Sequence, residues 1–278
     1  MLLKLLLILA AAPILFAQND WDDPYPPHRI AGNLYYVGSK GLSTYLITSS
    51  KGHILINSSF DRTLPIIRNG VEKLGFKFND VKILLTSHAH SDHVAGNAQI
   101  KELTGAAVYV MQGDEKVVAS GGQGQYRYPA SWKPCKVDKV LKDGEKVTLG
   151  EAELTAVLTP GHTRGCTTWT MKVKEGAKTY DVVIIGSPNV NPGYQLVGNT
   201  AYPEIADDFA KTFRILKGLP CDIFLGAHGS YYGMEGKFAL TVVGTPKTNP
   251  FVDPAGYHRY IDDRERAYKK VLAEQKKQ

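Results

Sequence analysis

Three cysteines in 278 residues are too few for a disulfide-built scaffold, and the odd number leaves at least one thiol over whatever pairs. Cys135, Cys166 and Cys221 have neither C-x-x-C nor zinc-ribbon spacing, so they are expected to be small core residues. Glycine and proline, 27 and 15, show no period, which excludes collagen-like and low-complexity chains. Neither sign of charge dominates. The 33 Lys and Arg face 27 Asp and Glu, and the densest basic run is only Lys269, Lys270, Lys276 and Lys277. No motif of a nucleic-acid module accompanies this scattered +6, so no nucleic-acid partner is expected. Nor does any apolar run reach the ~20 residues of a membrane-spanning helix.

The nearest approach to one is Met1 to Ala17, with a single cation at Lys4, an uncharged stretch from Leu5 to Phe16, and Ala17 before the polar Gln18-Asn19-Asp20. This pattern reads as a secretory signal peptide over residues 1–17. Residues 18–278 are then expected as one exported domain, monomeric, periplasmic or secreted, without membrane association once the peptide is removed. At this length roughly 70–75% of the unfolded surface would be buried, so a metal site would serve function rather than hold the core together.

Along the chain, short β-rich runs at Leu34–Gly38, Ser43–Thr48 and His53–Asn57 alternate with glycine turns. Leu64, Ile66, Ile67, Val71 and Leu74 then fall at helical spacing, and Val81–Thr86 is a mostly apolar run suited to a strand covered on both faces. A helix over about Val94–Leu103, a strand at Ala107–Met111 and an aperiodic loop at Ala119–Pro134 follow. Strands are expected at Lys146–Leu149, Glu153–Leu158, Thr167–Val173, Asp181–Ile185 and Ile223–Leu225, with helices at Glu204–Leu216 and from about Pro254 onward. The coarse repetition of meander, helix and buried strand predicts one α/β domain of two packed halves.

Directly after the buried strand the sequence reads Ser87-His88-Ala89-His90-Ser91-Asp92-His93. At this chain's composition H-x-H-x-D-H would arise by chance in roughly four of ten thousand such sequences. Three imidazoles at a strand end would leave several nitrogens needing partners, which a metal satisfies. Side chains two apart at the end of a strand point the same way, so His88 and His90 can hold one ion while Asp92 and His93 face a second. His162 in Pro160-Gly161-His162-Thr163 and His228 in Ala227-His228-Gly229 also follow expected strands, and strand ends gathered on one edge are where sites form. Six N/O ligands suit two zinc ions with three protein groups each and an open position for water. His28, His53 and His258 read as ordinary surface or core histidines.

These segments together resemble the metallo-β-lactamase superfamily over about Pro26–Tyr260. The resemblance implies a four-layer αβ/βα sandwich, two mixed sheets flanked by helices, with two Zn2+ ions on one edge. His88, His90 and His162 would hold the first ion, and Asp92, His93 and His228 the second. Glyoxalase- and lactonase-like members carry a bridging aspartate after the strand that ends at Ile185, and the best-known class B enzymes a metal-binding cysteine; Ser187 stands there in this chain. Serine with His93 as a ligand resembles the third subclass of class B β-lactamases, as do Asn191-Pro192-Gly193-Tyr194, Trp21 and Pro26-Pro27-His28-Arg29-Ile30.

The implied activity is hydrolysis of the β-lactam amide by zinc-activated water, with the antibiotic as small-molecule partner; the alternative is another hydrolase of this fold acting on a lactone or thioester. Asp92 would orient the water and Tyr194 stabilise the oxyanion, while Ser187, Asn189, Asn191 and Tyr194 would contact substrate. Some relatives have serine in the place of Asn189. Several bridge a cysteine at the position of Cys221 to one near the C-terminal helix; Tyr257 occupies the partner place, so no such disulfide is expected. Loops Gly38–Ser43 and Ala119–Trp132 are expected at the mouth, with Tyr126 and Trp132 as walls.

Overall fold

The β-rich runs between glycine turns pair into an antiparallel ribbon of β1 (His28–Ala31), β2 (Leu34–Tyr36), β3 (Tyr45–Ser49) and β4 (Gly52–Ile56). Helix α1 (Leu64–Lys73) then returns the chain so that β5 (Val81–Leu85) lies parallel to β4. Helices α2 (Ser91–Val94) and α3 (Asn97–Thr104) lead to β6 (Ala107–Met111), and α4 (Glu115–Ser120) to β7 (Lys139–Leu141), both parallel additions. The seven strands lie in sequence order. A second sheet runs β8 (Glu145–Leu149), β9 (Ala152–Leu158), β10 (Thr167–Glu175) and β11 (Lys178–Ile185), all antiparallel. After α5 (Ile205–Gly218), β12 (Ile223–Gly226) joins its edge parallel to β11, and α6 (Met234–Val243) and α7 (Pro254–Gln275) follow. This computed structural model describes residues 20–129, 131–244 and 248–277, so the signal-peptide segment lies outside the described residues.

Ile47, Ile54, Leu154, Trp169, Val183 and Leu225 fill the core between the sheets. Leu46, Leu55 and Leu84 on the other face of the first sheet meet Ile67 and Val71 of α1 and Ile100 of α3. Phe209, Phe213 and Leu216 of α5 join Tyr257, Ile261 and Tyr268 of α7 over the second sheet. Strands β4 and β5 therefore read as nearly continuous apolar runs because both faces are covered. Each such side chain contributes about 1.5–3 kcal/mol relative to exposure. The result is the αβ/βα sandwich of two mixed sheets flanked by helices. Among the described residues no helix is long and apolar enough to cross a membrane.

The expected helix over Val94–Leu103 is instead two. Gly96 N–H donates to Ser59 O at 3.0 Å, and a Cβ on Gly96 would lie 2.7 Å from Ser58 O, so the chain steps aside between α2 and α3 to pack on that loop. The stretch from Ala119 begins inside α4, while β1, β7 and α6 had no counterpart in the pattern of apolar residues. Cys135, Cys166 and Cys221 are all free. Burial pushes the Cys135 thiol up to about 11, Cys221 to about 12 and Cys166 higher, so none is a thiolate at neutral pH. Tyr257 donates its hydroxyl to Leu216 O at 2.6 Å, linking α7 to α5.

Candidate metal centre

The parallel strands deliver their carboxyl ends to one edge, where the two sheets are tied together. Thr167 N–H donates to Ser87 O at 2.7 Å, Trp169 Nε1 to Thr86 O at 3.1 Å and Ser43 N–H to Ala227 O at 3.0 Å. Asn57, just past β4, accepts the Ser87 N–H at 2.8 Å and holds the start of the histidine segment. The chain then turns tightly, with His90 N–H donating to His88 O at 3.0 Å, and α2 begins with His93 N–H on His90 O at 2.9 Å.

This path places the His88 and His90 rings 4.8 Å apart and perpendicular. His162, just past β9, brings its ring to 4.6 Å from His88 and 4.8 Å from His90. The alternating loop places Asp92 and His93 beside His228, which follows β12: Asp92 Oδ2 is 3.1 Å from His93 Nε2 and 3.5 Å from His228 Nε2. Within each triad, His88/His90/His162 and Asp92/His93/His228, the donor atoms lie within 4.8 Å of one another. The triads adjoin, with the His88 and His93 rings 4.2 Å apart.

Burial, reinforced by neighbouring imidazoles, holds His88 and His162 well below the ordinary histidine range. Burial likewise pushes His90 and His228 down to about 4. The Asp92 carboxyl, which burial alone would raise, is held well below the carboxylate range by the His93 and His228 imidazoles. Neutral imidazoles and an ionised carboxylate are the protonation states that divalent-cation binding requires. His162 Nδ1 donates to Asn189 O at 2.8 Å, which fixes the tautomer and leaves Nε2 as the lone pair for a cation. His93 is fully buried; among the described residues its Nδ1 has no hydrogen-bond partner, and its Nε2 faces the Asp92 carboxylate at 3.1 Å. A cation at each triad would satisfy these groups, so the donor set fits two zinc ions.

Behind the ligands sits Asp114, a few residues past β6 and 2% exposed. Its Oδ2 accepts from Ala89 N–H at 2.8 Å and Thr163 Oγ1 at 2.6 Å, and its Oδ1 from Gly165 N–H at 2.8 Å. One carboxylate thus fastens the loop of His88 and His90 to the loop of His162. Composition and motif spacing did not single it out, though its place after a strand end, beside the other site segments, is the signal that could have.

A family model of the metallo-beta-lactamase superfamily matches residues 40–228. The chain belongs to that superfamily. The metallo-β-lactamase FEZ-1 from Legionella gormanii is similar at 49% identity with a TM-score of 0.90, over 92% of this chain and 98% of that one. BJP-1 of Bradyrhizobium japonicum, a subclass B3 enzyme, is 35% identical with a TM-score of 0.86, over 94% and 98%. The class B3 di-zinc enzyme LRA-12 from an Alaskan soil metagenome is 34% identical with a TM-score of 0.85, over 91% and 97%. Among curated proteins, a hydroxyacylglutathione hydrolase of Rhodospirillum rubrum is 32% identical over 34% of this chain; the match spans only 29% of that protein's length.

In this metallo-β-lactamase fold a cleft of about 550 Å3 opens over the triads. Trp21, Gln125, Tyr128, Asn191 and Tyr231 line it beside the ligands. The walls differ from the expected ones. Tyr126 points behind the site, donating to His162 O at 2.8 Å, and Trp132 is buried in the core under the first sheet. Tyr128, with φ +58°, is the aromatic that faces His90, at 5.9 Å between ring centres.

Of the expected substrate contacts, Asn191 lines the cleft and the other three do not. Ser187, 1% exposed, turns its Oγ to the Tyr231 hydroxyl at 3.2 Å. Asn189 Oδ1 accepts from the Tyr260 hydroxyl at 3.4 Å. Tyr194 is 2% exposed and donates its hydroxyl to His162 O at 3.0 Å, so the expected oxyanion donor is committed to the backbone of a ligand. Each of these side chains is hydrogen-bonded to a neighbouring residue rather than turned into the cleft.

Proposed function

We propose that the protein is a zinc-dependent β-lactamase of the third subclass of class B, opening the amide of a β-lactam antibiotic. The observation that carries this reading is the make-up of the second triad. His93 supplies a ligand, whereas residue 187, where other branches place a metal-binding aspartate or cysteine, is a serine bonded to Tyr231. The 49% identity to FEZ-1 across nearly all of that chain supports the same choice. The thioester alternative draws on the hydroxyacylglutathione hydrolases, which this chain matches at 23–37% identity over 26–66% of their length, against 49% identity over 98% of FEZ-1.

His88, His90 and His162 would hold one zinc ion, and Asp92, His93 and His228 the other. When bound, zinc lowers the pKa of water toward neutrality and polarises a carbonyl oxygen. Asp92, with Oδ2 turned to His93 and His228, keeps its other carboxylate oxygen to accept a hydrogen bond from the attacking water and orient it. Asn191 presents its amide to the substrate carboxylate from the wall, and the Tyr128 ring covers the apolar body of the substrate. Tyr194 and Asn189 act behind them, holding the His162 loop by its carbonyl and its imidazole respectively.

Export through residues 1–17, residues 18–278 as a single catalytic domain, a monomeric state and a periplasmic or secreted location complete the proposal. Export and location rest on the apolar leader and on the fit with an enzyme that meets antibiotics outside the cytoplasm, and the single domain on the family match over residues 40–228. The test compares kcat/KM for a chromogenic cephalosporin with that for a glutathione thioester. A cephalosporin preference is expected; faster thioester cleavage by fully zinc-loaded protein would move the chain to the other branch.

A further inference from the structure

The segment that carries Asn191 and Tyr194 has no strand or helix to hold it between β11 and α5. It begins with a tight turn in which Tyr194 N–H donates to Asn191 O at 3.1 Å, with Pro192 second and Gly193 third at φ +81°, the arrangement of a type II turn. Beyond the turn the backbone groups have no ladder partners and must be satisfied otherwise. One side chain does this from some eighty positions away. Gln275, in the last turn of α7, accepts Leu196 N–H at 2.6 Å and Val197 N–H at 3.2 Å on Oε1, and donates Nε2 to Tyr194 O at 2.7 Å.

We propose that Gln275 is a positioning residue: its amide clasps the backbone of residues 194–197 from α7 and thereby sets where Asn191 meets the substrate. It touches neither the ligands nor the cleft. The inference fits the geometry because the clasp makes three bonds to consecutive parts of one loop, whereas the opposite side of that loop is held by Tyr128 donating to Pro192 O at 2.8 Å. The loop is thus pinned at Pro192 from the rim and at residues 194–197 from α7, with Asn191 directly before the first pin and tied to the second by the turn. The kinetic half of this inference rests on the β-lactamase reading; the structural half does not.

The experiment measures amide hydrogen exchange, zinc content and β-lactam kinetics for wild type, Gln275→Ala, Gln275→Asn and Gln275→Glu. The side chain of asparagine is one carbon too short to reach, while glutamate keeps the acceptor for Leu196 and Val197. Exchange at those two amides should rise about fivefold or more in the alanine and asparagine variants and less in the glutamate variant, which keeps the acceptor but sets its second carboxylate oxygen against Tyr194 O. In the alanine variant KM should rise about fivefold with kcat within about twofold and zinc content unchanged. Unchanged exchange in Gln275→Ala, or faster exchange with unchanged KM, would overturn the clasp. A fall in kcat that tracks lost zinc would overturn it too, by showing a general structural role. A wild type with no β-lactam turnover would sink the functional reading instead, and the exchange data alone would then decide the clasp.

Discussion

Thr163 donates its hydroxyl to Asp114 at 2.6 Å, and the same carboxylate oxygen accepts the Ala89 N–H at 2.8 Å. Ligand loops from the two halves of the sandwich are therefore referenced to one buried atom. Asp114→Asn turns one acceptor oxygen into a donor, which leaves one of the three N–H or O–H groups facing it without a partner. The expected cost is about 2–3 kcal/mol of stability, with zinc affinity or kcat down by about 10–100-fold. Thr163→Val, which removes one donor only, should cost about 1 kcal/mol. Denaturant titration and zinc competition on both variants check the ranking, which a surface-like role for Asp114 would abolish.

Tyr194 supports His162 through the backbone, and Tyr194→Phe distinguishes that from direct catalysis. Loss of one neutral hydrogen bond to a carbonyl should lower kcat/KM by only about two- to tenfold. Removal of a direct oxyanion donor would cost about 100- to 1000-fold in kcat. Steady-state kinetics at saturating zinc separate the two.

Gly161 precedes His162 with φ +122°, and a Cβ there would sit 2.7 Å from the Phe209 ring. Phe209 is fully buried on α5 and cannot retreat. Gly161→Ala is expected to destabilise the fold by about 2–4 kcal/mol through backbone strain and overpacking, and to weaken zinc uptake at the first triad. Thermal unfolding with and without zinc measures both, and a variant as stable as wild type would show that the loop relaxes freely.

His28 lies outside the site, stacked on Tyr36 at 5.2 Å and packed against Phe238 at 4.4 Å, with no hydrogen-bond partner for Nε2 among the described residues. Burial lowers its pKa, so the unfolded chain binds the proton more readily than the folded one. The stability this neutral imidazole contributes is present above the unfolded value of about 6.5 and declines as pH falls from there toward the lowered folded value. His28→Phe should therefore lose less stability than wild type between pH 7.5 and about 5.5. Unfolding free energies of the two proteins at both pH values test this, and parallel losses would contradict it.

The candidate ligands were legible because His88, His90, His162 and His228 closely follow apolar strands and Asp92 and His93 continue the first of these segments into α2, all local features of sequence. Asp114 was not, since what makes it matter is its meeting with Ala89, Thr163 and Gly165, contacts that only the tertiary fold creates. The cleft walls were misread for a related reason. Tyr126, Tyr128 and Trp132 sit in one aromatic loop, and composition does not say which ring turns inward; a left-handed residue at Tyr128 decides it. The break between α2 and α3 likewise depends on Gly96 meeting the loop after β4, a contact invisible to helical periodicity.

Zinc titration into chelator-stripped protein, with zinc per chain and turnover of a chromogenic cephalosporin followed together, tests the central claim most directly. Hydrolysis should vanish on stripping, return as zinc refills the triads, and plateau at two ions per chain in the wild type but not in His93→Ala. A protein that takes up two zinc ions and cleaves no β-lactam, or one that cleaves it fully while stripped, would contradict a two-zinc β-lactamase.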